Sequence, residues 1–336
     1  MHVLFCADSG YFPHLATAAV SVLENCSWPG VHVHVLTCDA DDAAEAGLRE
    51  SLQRYPAARL TLTRVDDARL ETLFVDKYLT KAAYLRFLAP DLLPLRVARV
   101  IYLDCDLVVP GDLAELWRTD LAGTPLAAAP DLDWWHGGLE PRLIDLGLRS
   151  GHRYVNSGVL VIDLDQWRRE GISDRLFRFA ATSGAALVYH DQDALNVVLQ
   201  GRVALLERRW NIQTLWYSHF VRRTFPAEYA ATRAARARPA IVHFSTDQKP
   251  WKFRAWTRKR ALYFRYRSLT AWRAERPAGL TAAQRLEYDL SRALLRVGID
   301  VNAAFGAARR LRRIGASAIA RRAPSPPPAP AEPDRT

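Results

Sequence analysis

Two aspartates one residue apart, Asp104 and Asp106, close a strongly apolar run in the segment VIYLDCDLVV, residues 100–109. In an extended chain alternate side chains share a face, so the two carboxylates point the same way. Ionised carboxylates brought that close repel each other and lose hydration unless a cation compensates them. A divalent ion that takes oxygen ligands supplies the compensation. A DxD triplet also occurs in surface turns. Here, apolar runs on both sides place it at a buried strand end, which favours metal binding.

A third donor comes from IVHFSTDQKPWKF, where His243 follows an apolar run and Lys249 lies six residues later in a loop. By itself His243 reads first as a buried structural histidine, and Lys249 as a solvated loop lysine. Added to two carboxylates, an imidazole suits Mn²⁺ better than Mg²⁺, because nitrogen is the softer donor. Lys249 would then offset negative charge on a phosphate as a point charge. In YHDQDALN, residues 189–196, the acids predict a helix start, with Asp191 as its cap and Asp193 in the first turn. Gln192 between them would face a cleft. Asn156, Ser157 and Gly158 open an apolar strand, where they would hydrogen-bond a sugar or form a turn.

The elements that must position these residues alternate. Residues 3–7, 31–36, 60–65 and 97–103 read as strands, and 15–23, 43–54 and 82–88 as helices. Such alternation predicts an α/β fold, a parallel sheet covered by helices on both faces. Ligands of such sheets bind beyond the carboxyl ends of the strands, where Asp8, Asp104 and Asp106 stand. In the second half, 155–163 reads as an alternating strand, 166–180 and 192–199 as helices, and 240–244 as a short strand.

With 336 residues, 49% hydrophobic and 24% charged, the chain suffices for one large globular domain plus an appendage. Cys6, Cys26, Cys38 and Cys105 show no CxxC spacing, which speaks for a reducing compartment rather than a disulfide framework. The start, MHVLFCADSG, has no basic leader pattern, and no run approaches the roughly 18–20 apolar residues of a membrane span. The expected location is the cytoplasm, with peripheral attachment to the inner face of the plasma membrane as its variant. From Lys249 onward lie 20 of the 46 Lys and Arg but 6 of the 36 Asp and Glu, so that segment carries +14 and the rest −4. Basic and aromatic residues mix there, as in RKRALYFRYRSLTAW and LRRIGASAIARR. That composition suits an amphipathic segment on anionic lipid or a solvated helical cap. No nucleic-acid module accompanies the charge, so no nucleic-acid partner is expected. The expected organisation is a domain over 1–255, a basic amphipathic helical extension over 256–322 and a disordered Pro-rich tail over 323–336.

Taken in order, FCAD, Tyr84–Arg86, YLDCDLVV with DLAELW, YVNSGVLVIDLDQW, DQDALN and HFSTDQKPW resemble glycosyltransferase family 8 across roughly residues 1–260. The resemblance implies a GT-A type, Rossmann-like mixed and mainly parallel sheet. It also implies a retaining transferase that moves a hexose, galactose or glucose, from a UDP-sugar to a glycan or lipid-linked acceptor. The metal ligands it implies are Asp104, Asp106 and His243, holding Mn²⁺ with Mg²⁺ as the alternative. Ala7, Asp8 and Tyr11 would form the uridine pocket, and Cys105 would approach the ribose through its backbone. Asp131, Asn156, Ser157 and Asp191 would hold the hexose. Arg86 and Lys249 would lie near the diphosphate, with Thr246 in the same loop. Gln192 would stand beside the anomeric carbon, so Gln192, Asp191 and Arg86 are the catalytic candidates.

Two positions depart from the family pattern. Gly10 stands where Asn is common, and Thr246 where HxxGxxKPW has Gly; a β-branched residue there resists positive φ. They motivate a second reading, a catalytically impaired nucleotide-sugar-binding protein. A sugar nucleotidyltransferase is a third, although FCADSGYFPH lacks the Gly-rich basic signature of those enzymes.

Overall fold

The apolar runs of the first half become β1 (His2–Cys6), β2 (His32–Thr37), β3 (Arg59–Arg64) and β4 (Arg99–Leu103), separated by the helices Phe12–Asn25 and Asp42–Leu52. The structure, a computed structural model, describes residues 1–74, 81–132, 140–149, 151–255 and 257–301. The Pro-rich tail and the part of the basic extension beyond residue 301 lie outside the described residues. Further strands are β5 (Leu107–Val108), β6 (Leu126–Pro130), β7 (Val155–Asp163), β8 (Val203–Leu205), β9 (Ile212–Gln213) and β10 (Val242–His243).

Seven strands form the main sheet in the order β3-β2-β1-β4-β7-β6-β8, and β5-β10-β9 form a small second sheet. β7 runs antiparallel to both β4 and β6, while the other pairs of the main sheet are parallel. The expected helix-covered, mainly parallel sheet is therefore present. One apolar layer joins Val3, Phe5, Val33, Ile101 and Val159 to Phe12, Leu15 and Ala19 of the first helix. The opposite layer joins Leu4, Tyr102, Leu160 and Ile162 to Phe87, Trp167 and Phe177. Alternate residues of one strand feed the two layers, and this fixes the register, since a slip by one would exchange them.

The antiparallel β7 is what builds the working rim. Leu103 pairs with Val159, and Asp104 N donates to Gly158 O at 2.9 Å. The amino end of β7 thus lies beside the carboxyl ends of β1, β4 and β6.

Several local expectations change. The helix read over 166–180 is two helices, Leu164–Glu170 and Ile172–Ser183, divided at Gly171 with φ 57, a left-handed turn suited to glycine. The segment 82–88 forms 3₁₀ turns within Lys81–Leu88. β6, with the sequence LAAAP, was not legible as a strand because it holds no β-branched or aromatic residue. Strand β7 is buried on both faces rather than one, being flanked by two strands and covered by helices.

Beyond residue 255 the helix Arg260–Arg267 packs on the first helix and β5. Its Tyr263, Phe264 and Tyr266 join Val108, Val242 and Phe244, and Tyr288 and Leu295 of the helix Ala282–Arg296 cover them. Asn25 Nδ2 donates to Tyr266 OH at 2.9 Å, and a Thr281–Gln284 capping box starts the later helix.

Candidate functional site

The chain leaves β4 through Asp104, Cys105 and Asp106. Cys105 turns inward, where its thiol donates to the Cys6 carbonyl at 3.3 Å. β10 lies antiparallel to β5, pairing His243 with Leu107, and Phe244 N donates to Asp106 O at 2.9 Å. His243 Nε2 then lies 3.1 Å from Asp106 Oδ1 and 3.6 Å from Asp104 Oδ2. One ligand atom from each of the three residues falls within 4.8 Å of the others. So close a cluster requires Gly158 below it: a β-carbon there would overlap the His243 ring and stand 2.7 Å from Asp104 Oδ2.

A second layer orients the imidazole. Asn211 Nδ2 donates to Asn156 Oδ1 at 2.7 Å, which turns Asn211 Oδ1 towards His243 Nδ1 at 2.9 Å. That carbonyl fits a proton on Nδ1 and leaves the Nε2 lone pair for a metal once the ring is neutral. Without a cation the ring is drawn towards its charged form. Burial opposes the charge, but Asp106 and then Asp104 outweigh burial and raise the His243 pKa. Burial likewise favours a protonated Asp106, yet Lys249 and His243 overcome it and hold that carboxyl far below its usual range. Lys249 Nζ reaches Asp106 Oδ2 and also donates to the Phe244 carbonyl at 2.8 Å.

Arg86 is buried on the other side of Asp104. Its Nη2 donates to Asp104 Oδ1 at 3.1 Å and its Nη1 to Ser157 O at 2.8 Å. Its guanidinium lies 4.1 Å from the centre of the Tyr102 ring. Asp191 Oδ2 stands 3.0 Å from Arg86 Nη1, too far off line for a hydrogen bond, and so is a buried acceptor with no donor. The two partners respond in opposite senses. Arg86 stays firmly charged despite its burial, held first by Asp191. Burial nevertheless pushes the Asp191 carboxyl up to about 6 against the pull of Arg86, with Asp104 adding to the rise. Because Arg86 is shared with Asp104, it compensates Asp191 incompletely.

Asp191 does not cap its helix. The helix His190–Val198 is preceded by Tyr189, and Asp191 and Asp193 both lie in its first turn. Asp193 does the anchoring: its Oδ2 accepts from the main-chain N of Val188 and Tyr189 at 2.8 and 3.0 Å, and its Oδ1 from Tyr154 OH at 2.6 Å. His190 takes φ 33, a left-handed conformation unusual for a non-glycine residue, at the point where the chain turns Asp191 and Gln192 inward. Gln192 Oε1 accepts from Asn156 Nδ2 at 2.9 Å and Ser157 N at 3.0 Å, and its Nε2 donates to Asp131 Oδ2 at 3.1 Å. Asp131 Oδ1 accepts from Gln213 Nε2 at 2.6 Å. Asn156 and Ser157 belong to β7 itself rather than to a turn.

Ala7, Asp8 and Tyr11 lie at the carboxyl end of β1, Ala7 buried and Tyr11 partly open. The Tyr11 ring meets Trp251 edge-on at 6.1 Å. Burial raises its phenol, with Asp106 the largest of the charges acting the same way. Thr246 is not among the positive-φ residues, so the loop turns without the left-handed residue that a glycine there would allow, and Gln248 N donates to its hydroxyl at 3.3 Å. A β-carbon on Gly10 would meet Asp8 Oδ1 at an ordinary 3.6 Å.

The hydrogen-bonded and ion-paired network thus joins Arg86, Asp104, Asp106, Asp131, Asn156, Ser157, Asp191, Gln192, His243 and Lys249. Ala7, Asp8, Tyr11, Cys105 and Thr246 enter by position on the same rim. Sequence reading missed Asn211 and Gln213, and it named Gly158 without its close approach to His243. Asn211 closes a 3₁₀ turn and Gln213 lies in β9, so the polar-apolar-polar run NIQ was the only sequence signal for them. Gly158 offered none, since its necessity arises from a distant histidine.

The profile of the family described as "Glycosyl transferase family 8" matches residues 2–255. General stress protein A of Bacillus subtilis (strain 168) is 32% identical over 276 residues, covering 81% of this chain and 94% of that protein. Lipopolysaccharide 1,2-glucosyltransferase of Escherichia coli (strain K12) is 25% identical over 251 residues, covering 75% of this chain and 72% of that protein. The crystal structure of galactosyltransferase LgtC in complex with donor and acceptor sugar analogs superposes with a TM-score of 0.69 at 24% identity, covering 83% of this chain and 98% of that one. This last likeness is one of fold.

Proposed function

The chain belongs to glycosyltransferase family 8, and from that premise we propose that it transfers galactose or glucose from a UDP-sugar to a glycan or lipid-linked acceptor, with retention at the anomeric carbon. The observation that carries this reading is the convergence of Asp104, Asp106 and His243 over Gly158, with Lys249 and Arg86 beside them. Two carboxylates and one imidazole on an open rim fit Mn²⁺ better than Mg²⁺. When bound there, Mn²⁺ supplies Lewis-acid stabilisation of the diphosphate leaving group.

The side chains take the remaining roles. Lys249 and Arg86 offset the charge that develops as the bond between the sugar and UDP breaks. Ala7, Asp8, Tyr11 and the Cys105 backbone receive the nucleoside, with Thr246 in the loop beside it. Asp131, Asn156, Ser157 and Asp191 orient the hexose. Retaining glycosidases use a carboxylate nucleophile. Gln192 is a poor one, and its amide is already tied to Asn156, Ser157 and Asp131. The reaction is therefore a same-face displacement through an oxocarbenium-like state, in which the leaving UDP oxygen accepts the acceptor's proton. Gln192 steadies the positively charged ring.

The acceptor side faces an anionic membrane surface. Leu286 and Leu290 lie one turn apart on the helix Ala282–Arg296 and Val297 caps its end, all between 58% and 72% exposed, with Arg285 and Arg296 flanking them. An apolar stripe bordered by arginines suits a lipid headgroup boundary. Among the described residues no helix is long and apolar enough to cross a membrane.

A UDP-release screen of UDP-hexoses with and without Mn²⁺, with product linkage read by NMR, tests the function. Release from UDP-galactose or UDP-glucose that stops in EDTA is expected. Full activity in EDTA removes the metal assignment, and no release from any UDP-hexose removes the activity.

A further inference from the structure

A second group of metal-ligating side chains lies at the opposite end of the strands. His2 opens β1, and in the parallel register it pairs with His32, which opens β2. His34 follows two residues later and so projects from the same face. His2 Nδ1 stands 3.0 Å from His34 Nε2, and the His32 and His34 rings stack with centroids 4.0 Å apart. One nitrogen from each ring falls within 4.8 Å of the others. The Asp104–Asp106–His243 group leaves β4 at its carboxyl end, whereas this trio sits at the amino ends of β1 and β2, so the body of the sheet separates them.

We propose that His2, His32 and His34 form a separate site for a borderline-soft divalent ion such as Zn²⁺ or Co²⁺, with water completing the coordination. An H-x-H pair on one strand and a third histidine on its neighbour gives three imidazoles on a common face, the nitrogen set that zinc accepts with one position left open. Thr61 Oγ1 lies 2.8 Å from His32 Nε2 and orients that ring, leaving Nδ1 for the ion. His34 is 3% exposed and fixes the floor, while His2 and His32 are half-buried and leave an approach from solvent.

Burial, reinforced by neighbouring positive charge that includes Arg96, lowers the His2 pKa to about 4 and that of His34 to about 3, and lowers that of His32 as well. His2 Nδ1 and His34 Nε2 share one proton across their 3.0 Å contact, and ligation by both atoms requires it to move to the outer nitrogen of whichever ring carries it. The two clusters would therefore sort ions by donor type. Oxygen-rich Asp104–Asp106–His243 accepts Mn²⁺, while an all-nitrogen set discriminates against Mn²⁺, the weakest binder of the first-row series. A metal here would pin the first strand to its neighbour and act on stability rather than on transfer.

The test uses untagged full-length protein titrated with CoCl₂ at pH 7.5, reading visible ligand-field bands and the thermal midpoint. The His243→Ala protein, which lacks the first cluster, should keep both the bands and a Co²⁺-dependent rise in Tm. His2→Gln and His32→Gln, both at half-exposed positions, should weaken the apparent Kd by about tenfold or more while leaving glycosyl transfer unchanged. Zinc-edge X-ray absorption on Zn²⁺-loaded His243→Ala protein gives a readout that needs no change in the trio and should show three imidazole ligands. Absence of Co²⁺ bands from His243→Ala protein, persistence of binding in the His2→Gln/His32→Gln double variant, or fewer than two imidazoles in the absorption fit overturns the proposal.

Discussion

Gly158 and His243 touch where no side chain could stand between them. The glycine main chain passes under the imidazole, and a β-carbon on it would collide with the ring and lie 2.7 Å from Asp104 Oδ2. Gly158→Ala should therefore displace His243 from the two aspartates without unfolding β7, whose pairing with β4 does not depend on the missing methyl. The expected result is a loss of about 10–100-fold in Mn²⁺ affinity or turnover, measured by UDP release across a Mn²⁺ titration, with an unchanged far-UV spectrum. Wild-type Mn²⁺ dependence in this variant would mean that the cluster is not the metal site.

Asp106→Asn and His243→Ala remove donors directly and should abolish Mn²⁺-dependent transfer. Asn211→Leu is the subtler probe. It leaves all three donors but takes away the partner of His243 Nδ1. A Mn²⁺ affinity weakened by about tenfold or more, with kcat at saturating Mn²⁺ largely restored, is expected. If Asn211→Leu leaves the Mn²⁺ dependence unaltered, the imidazole is not oriented through Nδ1.

Asp191 links activity and stability to pH. In the folded chain its carboxyl titrates at about 6, because burial outweighs Arg86; unfolded, it returns to the ordinary carboxylate range. Between those values the folded chain holds the extra proton, so its stability falls as pH rises and stays lower above pH 6. Asp191→Asn cannot titrate. The stability of wild type relative to this variant should drop by up to about 3 kcal/mol between pH 3.5 and 7, measured by urea unfolding at each pH. Transfer by the wild type should fall on acidification with a midpoint near 6, and that limb should be missing from the residual activity of Asp191→Asn. A pH-independent stability difference would refute the assignment.

Two truncations separate folding from membrane attachment. Ending the chain after Ala255 uncovers Val108, Val242 and Phe244 by removing Tyr263, Phe264 and Tyr266. At about 1.5–3 kcal/mol for each large buried side chain, this should lower the thermal midpoint severely or leave insoluble protein. Ending it after Val301 keeps those contacts.

Liposome co-sedimentation of the full chain and of the chain ending at Val301 then reads lipid binding alone. Binding to anionic vesicles at low salt that weakens at high salt is expected, reduced further by Leu286→Ser/Leu290→Ser. Equal partition to neutral and anionic vesicles, or none to either, would count against the membrane reading.

What the sequence disclosed follows from what each residue depends on. Asp104 and Asp106 were legible because their strand is apolar on both sides of them. His243 was legible at the end of an apolar run and Lys249 in the loop after it. The antiparallel direction of β7 was not, since a run of apolar residues reads the same both ways. It decides that Asn156, Ser157 and Gly158 meet Asp104 at all. Asp191 looked like a cap, but a left-handed His190 advances the helix start and hands the anchoring role to Asp193. Gly171 hid in a helical pattern and divided it, and alanine-rich β6 carried no strand signal.

The strand order has a kinetic consequence. The centre of the sheet is sewn from segments far apart along the chain, Val3 with Ile101 and Leu103 with Val159, and His243 arrives through a separate small sheet. Closing such long loops is slow compared with forming neighbouring strand–helix units. The first three strands can therefore assemble while His243 has yet to meet Asp104 and Asp106. Recovery of metal-dependent turnover after dilution from denaturant would then mark the last stage of refolding rather than collapse, making the rim a clock for the completed topology.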